Sequence, residues 1–223
     1  MARIIGDAGE WTRVRGVVVG LWPLFLSVLL IGFSLAMFFV NVVAGLALLV
    51  LSASYGCWSL VRGLRHVERF FIGARGEERV AGLLKALPDN YHVFNDFVAC
   101  KEHIDHVVVG PTGVFAVETK NWRGQITIED GHIFYDGRLP SGDPLKQVLW
   151  EASLVRNELA KRDWKGVIKP VLVFASDTFR AQVAEIRGVV VMNSSYIKNG
   201  FVTDYVALQP AELDRLVRLM ENT

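Results

Sequence analysis

Between Arg15 and Arg62 the chain runs for 46 residues, 16–61, without a single Asp, Glu, Lys or Arg. As one helix that run would extend about 69 Å, whereas a bilayer core is about 30 Å thick and takes about 20 residues per crossing. The length therefore predicts two crossings, 17–38 and 42–60, joined by a turn at Val40 and Asn41. Pro23 falls in the first turns of the first helix, where a proline costs least. The apolar core of a cleaved signal peptide spans about 7–15 residues, so this run is too long for one; a buried hairpin in a soluble protein is the competing reading. Arg13 and Arg15 precede the run, and Arg62, Arg65 and Arg69 follow it. Basic residues at both ends predict a multi-pass protein of the cell membrane with both termini, and the domain after residue 70, in the cytoplasm.

Composition supports that division. Hydrophobic residues make up 52% of the chain and the mean hydropathy is +0.32, but the excess sits in the first third. The expected organisation is a cytoplasmic segment (1–15), a transmembrane hairpin (16–61), a juxtamembrane linker (62–72) and a globular domain (73–223). A net charge of +1 does not by itself announce a nucleic-acid binder. Cys57 and Cys100 are the only cysteines, which excludes a disulfide framework and fits a reducing compartment. His92, His103 and His106 lie near Cys100, but no C-x-x-C or H-x3-H spacing supports a zinc site.

After the hairpin, Val80, Leu83, Leu84 and Leu87 recur at helical spacing and predict a helix over 75–87. Glu77 lies three residues before Val80 and seven before Leu84, so it points to the buried face, where an acid needs a partner. Glu78 points away. Strand-like runs follow at 91–97, 104–109, 113–119 and 124–128, with a short fifth at 132–135 completing a meander. Gly110-Pro111-Thr112-Gly113 is a strong turn signal. Asp143-Pro144 supplies an N-cap acid and a first-turn proline for a helix with Leu145, Val148, Leu149, Ala152, Val155 and Leu159 on one side. Strands at 171–175 and 189–192 and a helix over 210–220 complete an α/β sandwich.

The turn at 110–113 fixes a register. If Val109 faces Val114, facing positions sum to 223, and Asp105 faces Glu118 with Cβ atoms about 4.5–5.5 Å apart. Alternation puts Lys120 on the same face as Glu118. Like charges facing each other destabilise a sheet unless something offsets them, and a divalent cation would; Mg2+ favours one or two carboxylates plus waters. Lys120 would then orient or activate a water, or stabilise developing negative charge. An ordinary surface charge cluster is the alternative, but Val107, Val109, Val114 and Ala116 share the face and should bury it. His106 points to the opposite face and reads as structural. Trp122, Arg123 and Lys101 are candidates for nucleic-acid backbone contacts, Trp122 equally for packing, while Lys161, Arg162 and Lys165 read as a solvated helix end.

Three segments carry a resemblance: Gly73-Ala74-Arg75-Gly76-Glu77, Ile104-Asp105-His106-Val107-Val108-Val109-Gly110-Pro111, and Gly113-Val114-Phe115-Ala116-Val117-Glu118-Thr119-Lys120. Over residues 73–161 the chain resembles the nuclease-related domain (NERD), a family assigned to the restriction-endonuclease-like P-D-(D/E)-x-K superfamily. The resemblance implies a mixed sheet flanked by helices. It also implies Glu77 as the first-helix acid, Asp105 as the metal-binding acid, and Glu118 and Lys120 as the E-x-K pair. Gln147 resembles the glutamine that related nucleases carry on the following helix.

The reading that follows is a membrane-anchored, Mg2+-dependent nuclease, with Mn2+ as an alternative ion, cleaving phosphodiester bonds of DNA or RNA. Asp105 and Glu118 would bind metal with the Thr119 carbonyl, Glu77 would assist directly or through water, Lys120 would serve the attacking water, and Gln147 would position water or phosphate. Its partners are nucleic acid and a lipid bilayer contacted by residues 17–60; a homo-oligomer is left open. The rival reading is a catalytically inactive nucleic-acid-binding or signalling module tethered to the membrane. A transport partner is disfavoured because the helices carry no intramembrane charge.

Overall fold

The computed structural model describes residues 1–179, 183–202 and 207–221. Two compact units emerge: Trp11–Ile72, and a second that joins Met1–Glu10 to Gly73–Thr223.

The first unit is a helical hairpin built from α1 (Glu10–Phe38) and the first part of α2 (Val42–Leu84). The turn falls where the sequence placed it. Asn41 caps α2, its Oδ1 accepting from the Ala44 N–H at 3.1 Å, a bond worth about 1 kcal/mol. The residues of α1 that are buried are Gly16, Gly20, Ser27 and Ser34, and on α2 the buried positions include Gly45, Ser52, Ser59 and Gly63. Gly20, Ser27 and Ser34 recur every seven residues, as do Gly45, Ser52 and Ser59, which keeps one narrow seam between paired helices. Backbones approach closely along it: a Cβ on Gly63 would strike the Gly20 carbonyl, and the Ser34 and Ser52 hydroxyls stand 3.3 Å apart. The large apolar side chains, among them Trp22, Phe25, Leu29, Phe33 and Val43, point outward. Residues 62–72, expected as a linker, are helical within α2; an isolated glycine such as Gly63 lowers helix stability by about 1 kcal/mol without ending the helix.

The second unit is a mixed α/β fold. Its strands are β1 (Arg3–Ile5), β2 (His92–Ala99), β3 (Glu102–Gly110), β4 (Gly113–Lys120), β5 (Ile126–Glu129), β6 (His132–Tyr135), β7 (Ile168–Phe174), β8 (Val183–Ile186) and β9 (Val189–Asn193). Its helices besides the end of α2 are α3 (Pro144–Ala160), α4 (Ile197–Phe201) and α5 (Pro210–Glu221). Seven strands form one sheet in the order β1-β2-β3-β4-β7-β9-β8. β2, β3 and β4 are antiparallel, while β4, β7 and β9 run parallel.

β3 and β4 are covered on both faces, which is why their sequences are apolar almost throughout. One face carries Val107, Val109, Val114 and Ala116 against Ala152, Val155 and Leu159 of α3 and Leu216 of α5. The other carries Val108, Phe115 and Val117 against Val80 and Leu84 of α2 and Phe201 of α4.

Four expectations need correction. β1, β8 and α4 were not anticipated; elements of three to five residues carry too little periodicity to signal themselves. β5 and β6 form a separate two-stranded sheet, because β4 pairs instead with β7. The helix predicted over 75–87 stops at Leu84 and turns back through 85–87, with the Leu87 N–H donating to the Leu84 carbonyl. Leu83 and Leu149, assigned to buried stripes, are 37% and 39% exposed, each lying at the edge of its helix's apolar face.

Candidate active site

The β3–β4 hairpin follows the register read from its turn: Gly110↔Gly113, Val109↔Val114 and His106↔Val117 all sum to 223. The ladder ends there, one pair short of Asp105 and Glu118. Instead of pairing with β3 backbone, the Thr119 N–H donates to the Asp105 Oδ2 at 2.8 Å. On the other side of β3, the β2 ladder also skips the position opposite Asp105, where Asp96 has a φ of 51°. Such left-handed backbone at a non-glycine residue is strained. The strands thus splay around Asp105, and its carboxylate takes up a backbone donor that the sheet releases.

Glu118, two residues from Ala116 on the same face, is buried. Lys120 Nζ donates to the Glu118 Oε1 at 2.5 Å and to the Gln147 Oε1 at 2.9 Å. Gln147 Nε2 in turn donates to the Glu118 Oε1 and to the Glu151 Oε1, each at 2.8 Å. Gln147 reaches the site because Asp143 starts α3 one turn earlier, accepting from the Leu145 N–H at 3.0 Å, with Pro144 in the first turn. Glu77 arrives on α2 with 9% exposure, and its charge is felt at Asp105. Gly76 allows the approach, since a Cβ there would stand 2.5 Å from the Asn121 side chain just past β4.

The charges of three carboxyl groups, Glu118, Asp105 and Glu151, therefore act on one ammonium. Burial, then the charges of Glu118, Glu77 and Glu151, push Asp105 well above the ordinary carboxylate range, against the pull of the Thr119 N–H. Glu151 is pushed up to about 9, first by burial and then by Glu118. Its Oε2 is buried without a hydrogen-bond partner. Burial pulls Lys120 down, but the charge and hydrogen bond of Glu118 outweigh it and raise its pKa, so it stays an ammonium. Among the described residues, no three His, Cys, Asp or Glu side chains converge as a preformed metal site.

Asp105, Glu118, Lys120 and Gln147 are brought together, with Glu77 close enough to couple to Asp105. Glu151 was missed, although its signal was present: it lies three residues after Val148 and four before Val155, on the apolar stripe of α3, as Glu77 does on α2. His106 is fully buried on the opposite face. Its Nδ1–H donates to the Asn95 Oδ1 at 2.8 Å, since the Asn95 amide donates to the Gly6 carbonyl at 3.1 Å, and burial pushes the imidazole down to about 3. Trp122 packs, with ring centroids 5.2 Å from Tyr135 and 5.6 Å from Phe174. Arg123 and Lys101 are exposed. Lys161 pairs with Glu158 at 2.6 Å, and Arg162 donates to the Leu219 carbonyl at 2.5 Å, so the end of α3 is tied down rather than merely solvated. Cys57 and Cys100 are free thiols.

An acid–acid–lysine–glutamine cluster at the splayed end of a hairpin in a mixed sheet is the arrangement expected above for a nuclease-related domain. Comparison of sequences agrees: residues 72–175 match the family model of the nuclease-related domain, NERD. An uncharacterized protein of Bacillus anthracis is 40% identical over 68 residues, which make up 28% of this chain and 32% of that relative. The chain thus spans about a third of the length of the curated relative it matches. No solved structure matches the chain.

Proposed function

We propose that this protein is a membrane-anchored, metal-dependent nuclease that hydrolyses phosphodiester bonds of DNA or RNA. The observation that carries the reading is the convergence of Asp105, Glu118, Lys120 and Gln147 where β3 and β4 part. The donor set suits a hard divalent cation: oxygen ligands only, negative charge in excess, and a buried carboxylate oxygen on Glu151 that lacks a partner. Asp105 and Glu118 would hold Mg2+ or Mn2+. The Thr119 carbonyl would join them, because in a strand it points to the same side as the N–H that Asp105 receives. When bound, the ion supplies Lewis-acid polarisation of the phosphate and a more acidic water.

The remaining chemistry belongs to the chain. Lys120, held as an ammonium, orients the attacking water through its lone pair and stabilises negative charge developing on the phosphate. Gln147 offers both an amide donor and an acceptor beside Lys120 and positions water or a phosphate oxygen. Glu77 and Glu151 set the charge of the site, Glu77 through Asp105 and Glu151 through Gln147.

The membrane reading rests on the hairpin being inside-out for water. Two helices long and apolar enough to span a bilayer, Glu10–Phe38 and Val42–Leu84, place glycine and serine in their seam and large apolar side chains outward. Membrane helices pair in this way, through small residues, while lipid covers the rest. Arginines at both ends of the run favour a multi-pass protein of the cell membrane with both termini in the cytoplasm.

The test is incubation of the full chain, purified in detergent, with labelled DNA and RNA in Mg2+, Mn2+ or EDTA. Cleavage that needs the ion and disappears in Asp105→Ala and Glu118→Ala is expected. Wild-type protein without metal-dependent cleavage of any nucleic acid would leave a tethered binding module.

A further inference from the structure

The basic residues that follow the apolar run do more than mark its end. Arg62, Arg65, His66 and Arg69 lie at i, i+3, i+4 and i+7 on α2, which is one face of a helix, and they span about 10 Å along its axis. With Trp58 and Val61 they line a cavity of about 400 Å3. Arg62 is held there by stacking, its guanidinium 5.3 Å from the centre of the Trp58 ring. A second cavity of about 410 Å3 shares Trp58, Arg62 and His66 and continues along Val19, Pro23 and Tyr55 between the two helices. One groove therefore changes character along its length, from guanidinium groups to an apolar, aromatic trough. Glu68 is the one acid between Arg62 and Arg69 and does not line either cavity.

We propose that this groove binds an anionic phospholipid, with the headgroup phosphate on Arg62, Arg65 and Arg69 and an acyl chain along Val19, Pro23 and Tyr55. The inference rests on the membrane reading of the hairpin and goes beyond it. Charge complementarity selects the ligand: three arginines with an imidazole match a phosphodiester anion, and a tryptophan at the join of polar and apolar halves suits the membrane interface. Each basic residue held near an anionic membrane surface adds to the attraction. A nucleic-acid phosphate would satisfy the arginines but leave the apolar trough empty, so lipid is the better occupant.

The experiment uses the full chain in vesicles of phosphatidylcholine with or without phosphatidylglycerol. Resistance to carbonate extraction first reports whether the hairpin is integrated. Lipids that stay bound after detergent extraction are then quantified by native mass spectrometry. Integrated wild-type protein should retain phosphatidylglycerol over phosphatidylcholine by at least about 10-fold, the ratio that about 1.4 kcal/mol gives. The Arg62→Gln/Arg65→Gln/Arg69→Gln variant should integrate equally well and lose that preference. A control that removes three charges elsewhere, Arg156→Gln/Lys165→Gln/Arg215→Gln, should keep it. Integrated protein without a preference, a preference that survives in the triple variant, or displacement of the lipid by a short single-stranded oligonucleotide overturns the proposal. Extraction of wild-type protein by carbonate overturns the membrane reading itself, and the lipid site with it.

Discussion

Burial, then the charge of Glu118, pushes Glu151 up to about 9, and its Oε2 is buried without a hydrogen-bond partner. A carboxyl whose folded pKa lies above its ordinary 4.5 binds a proton that the unfolded chain has released. The metal-free fold is therefore favoured at low pH and loses that stability as pH rises from about 4.5 towards 9. Glu151→Gln keeps an acceptor for the Gln147 amide and removes the titration. In EDTA at pH 8 it should raise the Tm by about 2–4 °C for each kcal/mol gained; with thermal unfolding followed at pH 5.5 and 8, its Tm should change less between the two than wild type. Lys120 answers a different question. Lys120→Ala removes the ammonium beside Glu118, so calorimetry should find metal binding retained or tightened while cleavage falls by at least about 10²-fold. Glu78→Ala and Lys161→Ala should change the cleavage rate little.

At the scale of elements, the hairpin seam and the edge strand carry the clearest consequences. Gly63 lies against the Gly20 carbonyl, and no side chain fits there without moving the helices apart. Gly63→Leu should overpack the seam and cost on the order of 1–3 kcal/mol. The readout is disulfide formation between Ser34→Cys and Ser52→Cys, whose hydroxyls stand 3.3 Å apart; the cross-link should form readily on oxidation and weaken sharply when Gly63→Leu is added. β1 pairs with β2 through Arg3↔His92 to Ile5↔Phe94, and the Ala2 N–H donates to the Leu87 carbonyl at 2.8 Å. Deleting residues 1–9 should expose the β2 edge and lead to aggregation, measured as loss of the monodisperse peak in size-exclusion chromatography. A fragment beginning at Gly73 would carry the same defect, which is why activity is best measured on the full chain.

For the whole molecule, connectivity constrains topology. The chain leaves the α/β unit after Glu10 and re-enters it at Gly73. If the intervening helices cross a bilayer, they cross it an even number of times, and both ends lie on one side. Reporters inserted between Val40 and Asn41 and fused after Thr223 should therefore report opposite compartments. Reporters that agree would end the hairpin topology, although the mixed α/β unit would stand.

Much of this was legible in the chain. The hairpin follows from an uncharged run too long for one crossing, and its turn from Asn41. A four-residue turn and a strand period of two carry the register from Gly110 and Gly113 as far as His106 and Val117, but the direct Asp105–Glu118 pairing it predicts gives way to the Thr119 N–H bond to Asp105. What sequence left undetermined depends on residues far apart. β1 is three residues long and acquires its partner only because the chain returns from residue 73. β5 and β6 leave the main sheet because β7, about 50 residues after β4, takes the edge they would have used. Glu151 joins the site because α3 packs over β4, and its raised pKa comes from burial there and from the charge of Glu118 on another element. Periodicity and turn chemistry act over a few residues and can be read along the chain; strand order, burial and charge coupling are set by packing between distant segments, and only the tertiary structure decided them.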